Sequence, residues 1–60
     1  MNLQRAQLSY VASVRRLAIA RATYNEQPSA GRLHTVILYE AGVELASRYL
    51  DRAEDAAAAY

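Results

Sequence analysis

The chain has no cysteine, lysine, phenylalanine or tryptophan in its 60 residues, and only one proline, one histidine and two glycines. Each absence closes a class of structure or chemistry. Without thiols there is no disulfide scaffold, and with His34 as the only imidazole a four-ligand structural zinc site cannot be assembled within one chain. Without lysine there is no phosphate-binding P-loop, and two glycines cannot build its cradle. His34 has no cysteine to activate, and Ser9, Ser13, Ser29 and Ser47 lack the context of a nucleophile elbow. The carboxylate pairs Glu40 with Glu44 and Glu54 with Asp55 read as solvated helix residues. The expectation is a protein with no cofactor and no metal that is not an enzyme. The longest uncharged stretches, Ala6 to Val14 and Leu33 to Tyr39, are under half of what a membrane-spanning helix needs, and no basic-then-apolar signal peptide opens the chain. A cytoplasmic protein with no membrane partner is expected.

What is present is alanine and arginine. Hydrophobic residues make up 53% of the chain, but thirteen of them are alanine, so large apolar side chains are few. One domain over residues 1–60 is all this length allows, and a single core rarely stabilises a chain below about 70–80 residues unaided. A second copy is the nearest source of further apolar contact, so a homodimer is expected. Net charge is only +1, but it is polarised. Residues 1–32 hold five arginines against Glu26, whereas residues 33–60 hold five acids against Arg48 and Arg52.

One cluster of breakers interrupts the chain, Asn25-Glu26-Gln27-Pro28-Ser29-Ala30-Gly31. Both sides of it read as helix, the first over about 2–25, the second over about 29–58, joined by a turn at about 26–31. In the first helix Leu3, Ala6, Tyr10, Val14, Leu17 and Tyr24 recur at helical spacing, flanked by Val11 and Ala18, with Arg5, Ser9, Arg16 and Thr23 on the opposite, solvated side. Leu8, Ala12 and Ile19 form a minor strip expected to pack under the second helix or its symmetry mate. Asn2 is positioned to cap the first helix; for the second, Ser29 or Gln27 followed by Pro28 can serve.

The second helix carries two apolar stripes. Thr35, Leu38, Gly42, Leu45, Tyr49, Ala53, Ala56 and Tyr60 alternate at three and four residues, and Val36, Tyr39, Val43, Leu50 and Ala57 run beside them. One partner helix cannot cover both. One stripe suits the other half of the hairpin and the adjacent one a second chain. The expected fold is all-α, a two-helix antiparallel hairpin that dimerises into a small four-helix bundle. Its core or dimer residues are Tyr10, Val14, Leu17, Leu38, Gly42, Val43, Leu45, Tyr49 and Leu50. Gly42 costs a helix about 1 kcal/mol relative to alanine, so close approach of the first helix is expected there, with Ala18, Ala20, Ala22 and Ala46 also small. The tail from Asp51 is expected to extend beyond the reach of the first helix.

Glu40, Glu44, Asp51 and Asp55 share one helical face over about 22 Å. Such a ridge either keeps the surface soluble or attracts a basic protein surface. Ile37 on that face and Tyr39 on its border give it the mixed character of a contact patch. The candidate partner contacts are Ile37, Tyr39, Glu40 and Glu44, with Arg16 and Arg32 as ion-pair donors. The alternative is a small RNA- or DNA-binding helical dimer acting through arginines of the first helix, Arg5 and Arg16 foremost. Nucleic acid is the less favoured partner, because lysine is absent and Tyr10 and Tyr24, the aromatics available for stacking, fall on the core stripe.

Two resemblances bear on these expectations. As a short two-helix chain forming a four-helix bundle, the protein is architecturally similar to the plasmid repressor-of-primer family, whose RNA-contacting face is not recognisable in Leu3 to Tyr24. In its single helical hairpin, its arginine without lysine and its second-helix segment Leu33-His34-Thr35-Val36-Ile37-Leu38-Tyr39-Glu40, it resembles the small helical host-takeover proteins of temperate bacteriophages, in particular the quorum-sensing anti-activators. That resemblance implies a homodimeric inhibitor in the host cytoplasm. Its host target would be the DNA-binding domain of a LuxR-type quorum-sensing transcription activator, with the type IV pilus assembly ATPase as a second target.

Overall fold

The computed structural model describes residues 2–59. They form two helices, α1 from Leu3 to Glu26 and α2 from Ala30 to Ala58, which fold back on each other as an antiparallel hairpin. Both starts are capped by side chains. Asn2 is extended and its Oδ1 accepts from the Arg5 amide at 3.0 Å; Ser29 is extended and its Oγ accepts from the Arg32 amide at 3.2 Å. Of the two caps open for the second helix, the structure uses Ser29. Its connection to α1 is only Gln27, Pro28 and Ser29, and it needs no left-handed backbone.

The seam between the helices follows an unbroken three-four alternation. On α1 it runs through Leu3, Ala6, Tyr10, Ser13, Leu17, Ala20 and Tyr24; on α2 through Arg32, Val36, Tyr39, Val43, Ala46, Leu50 and Ala53. Ala6, Leu17, Ala20, Val36, Ala46 and Ala53 are buried, and Tyr24 and Val43 pack against the cluster of Leu17, Ala20 and Val36. With Ala20 and Val36 in one buried cluster, equal steps along the antiparallel helices bring Tyr10 level with Ala46, Ala6 with Leu50, Leu3 with Ala53 and Leu17 with Tyr39. In most of these layers a small residue of one helix meets a larger one of the other.

Several expectations are corrected by this register. Val14 lies outside the seam of the hairpin; it is 40% exposed, because the seam passes one residue earlier, at half-buried Ser13. The Ser13 hydroxyl donates to the Ser9 carbonyl at 2.9 Å, so it sits at the seam with its polar group satisfied inside its own helix. Of the strip of Leu8, Ala12 and Ile19, only Ala12 is half-buried in the hairpin; Leu8 and Ile19 are 64% and 67% exposed and stay open to the second alternative, a symmetry mate. Gly42 is not a point of close approach within the hairpin: a Cβ added there meets nothing within 4 Å. Of the small residues named with it, Ala20 and Ala46 lie in the seam, while Ala18 and Ala22 face outward. Coverage of α2 does not stop at Asp51 either, since Ala53 is buried to 1% exposure beneath the start of α1. Only the last turn and a half of α2 projects beyond it. Tyr60 lies outside the described residues.

The result is long and thin, 48 × 14 × 11 Å, with a radius of gyration of 14.0 Å against about 10.4 Å for a compact chain of this length. Among the described residues no helix is long and apolar enough to cross a membrane.

Candidate interaction surfaces

The seam follows the stripe of Val36, Val43 and Leu50 and takes only Ala53 from the more regular one, whose middle stretch is left bare. Leu38 is 54% exposed, Leu45 64% and Tyr49 37%, with Thr35 exposed and Gly42 half-buried between them. Val43 and Leu50 are half-buried in the seam with Tyr10 and Leu17 of α1, so the nine core and dimer residues divide into an inner set and an outward set. Sequence spacing alone does not tell these stripes apart. The difference lies in the partner: α1 offers alanine and serine at alternate layers, which mesh with the wider alternation of Val36, Val43 and Leu50.

The acidic residues occupy the other edge of α2. Ile37, Glu44 and Asp51 recur every seven residues and so lie in one line, with Glu40 and Glu54 beside it on the α1 side. All five are exposed. Arg21 reaches across from α1 to Glu40, with Nη2 to Oε2 at 3.5 Å, and Arg48 donates to Glu44 Oε1 at 2.6 Å along α2. Both pairs are open to solvent, so each contributes a few tenths of a kcal/mol and is readily exchanged for another partner.

Ile37, Glu40 and Glu44 are therefore brought together, but Tyr39 is not with them. It stands about 160° around the helix from Ile37, at the seam edge, and lines an open groove with Ile19, Thr23, Arg32 and Thr35. Arg16 is exposed on α1, on the groove side of the hairpin. Arg32 is already engaged. Its Nη1 donates to the carbonyls of Thr23 at 3.3 Å and Gln27 at 3.0 Å, closing the C-terminus of α1 from the first turn of α2. That capping role was invisible in the sequence, where Arg32 reads as a free charge beside a turn. Ile19, 67% exposed at the groove, was not legible as a surface residue either, because its exposure depends on which face of α1 the seam consumes.

No protein-family model, curated protein or solved structure matches this chain.

Proposed function

We propose that this chain is a non-enzymatic, protein-binding inhibitor, acting as a homodimer in which two hairpins form a small four-helix bundle in the cytoplasm. The observation that carries this reading is the division of the outer surface of α2 into two lengthwise bands, one apolar through Leu38 and Leu45, one acidic through Glu44 and Asp51 around exposed Ile37. The apolar band supports self-association. The acidic band supports docking on a basic protein surface, with Ile37 as the apolar anchor and rim charges guiding encounter. The resemblance to phage anti-activators supplies the target class: the DNA-reading surface of a LuxR-type activator, which the dimer would occlude, with the pilus assembly ATPase as a further target. Nucleic acid is the weaker reading, since the chain has no lysine and a net charge of only +1, and Tyr10 and Tyr24 are half-buried in the seam rather than free to stack.

The test is competition. Operator DNA bound to a purified LuxR-type DNA-binding domain is followed by fluorescence anisotropy while the chain is added. Displacement is expected, and is lost in Glu44→Arg with Asp51→Arg although the thermal melt is unchanged. No displacement by the unaltered chain, or displacement that survives the charge reversal, sinks the reading.

A further inference from the structure

The bare stripe of α2 has a length, an area and a gap that together specify what covers it. The chain exposes 4653 Å², about 750 Å² more than the roughly 3,900 Å² of a compact monomer of 6.7 kDa. Two protomers covering that excess on each other would bury about 1,500 Å², the size of a standard specific interface. Leu38, Leu45 and Tyr49 supply its apolar content and Ile19, exposed on the groove side of α1, extends it. At its middle sits Gly42, in plain helix with empty space where its side chain would be. Glycine at such a position destabilises the helix by about 1 kcal/mol relative to alanine. Nothing inside the hairpin offsets that.

We infer that the stripe is closed by the α2 of a second copy, antiparallel, in the register that places Leu45 of each chain in the gap left by Gly42 of the other and overlaps the two helices over all but a residue at one end of each. α2 spans Ala30 to Ala58, so a two-fold axis between Val43 and Glu44 overlaps all of the helix but its last residue. In that register Gly42 stands opposite the partner's Leu45, Leu38 opposite the partner's Tyr49, and Thr35 opposite the partner's Arg52. Each layer joins a small or short residue to a longer one, the same size alternation that builds the internal seam. Shifting the register by seven residues toward the helix start also sets Gly42 opposite a leucine, but leaves the last turns of both helices unpaired. The Ile37, Glu44 and Asp51 line points away from this interface, so the dimer carries two free acidic edges.

This inference rests on the homodimer of the proposed function, and the experiment separates their failures. Because the chain has no cysteine, single variants report the register cleanly. Leu38→Cys and Tyr49→Cys proteins are treated with a short bis-maleimide, separately and after mixing. Like positions on the two chains are offset by about 16 Å along the axis, so neither alone is expected to crosslink, whereas the mixture gives a covalent dimer. Crosslinking of Leu38→Cys by itself, or none in the mixture while sedimentation still gives a dimer, overturns the register and leaves the homodimer standing; a monomer at micromolar concentration overturns both. Gly42→Leu provides a second readout. It keeps the hairpin helical, since its space is open, and raises the dimer dissociation constant at least about tenfold. An unchanged constant means Leu45 does not occupy that gap.

Discussion

Arg32, in the first turn of α2, donates from its guanidinium to the carbonyl of Thr23 in the last turn of α1, at 3.3 Å. Helix α1 has no basic residue in its own last turn, so the charge that complements its carbonyl end arrives from across the connection. Bonding to Gln27 as well, one side chain joins both helices and the loop between them. Sequence-neighbouring elements are thus tied together at the turn as well as through the apolar layers beyond it.

Arg32→Ala is therefore expected to lower hairpin stability by about 1 kcal/mol, a charge-assisted bond discounted for its half-exposed setting. Arg32→Lys should recover only part of this, because an ammonium cannot fork to two carbonyls as well as a guanidinium. Thermal melts followed by circular dichroism check both. An Ala variant as stable as the parent would mean the contact is incidental.

The caps give a second comparison. Ser29→Ala and Asn2→Ala each remove a side-chain acceptor from a helix start, at about 1 kcal/mol. Ser29→Asp should hold the cap and add a favourable charge at the N-terminus of α2. Urea unfolding at constant protein concentration measures these differences.

The seam register is tested by enlarging alanines. Ala6 is fully buried and Ala20 is 8% exposed, so leucine at either overpacks the interface and destabilises by about 1–3 kcal/mol. Leucine at Ala22, exposed on the same helix, should change stability by less than about 0.5 kcal/mol. Equal effects at buried and exposed alanines would contradict the layer assignment.

The interhelical pair of Arg21 and Glu40 makes the opposite prediction. With side chains 57% and 49% exposed and 3.5 Å between the charged atoms, its coupling in a double-mutant cycle should stay below about 0.5 kcal/mol and fade with added salt. Glu40→Gln should accordingly leave the melt almost unmoved, and so isolates any effect on partner binding.

Two helices, a break at Gln27 to Ser29, and the caps at Asn2 and Ser29 were legible in the amino-acid sequence, because each depends on residues within one turn of one another. So was the existence of two stripes on α2. Which stripe faces α1 was not legible, nor that Ser13 rather than Val14 enters the seam, nor that Arg32 caps the helix before its own. Hydrophobicity ranks Val14 above Ser13 and favours the regular line through Leu38, Gly42 and Leu45. Packing chooses otherwise, because two helices at close range need sizes that alternate layer by layer, a property of the pair that neither helix possesses alone. The same choice leaves Gly42 open and Leu45 exposed. Sequence by itself determined that this chain has more apolar helix surface than one hairpin can cover; tertiary structure decided which part is left over, since only the side chains of α1 select the face of α2 that they fit.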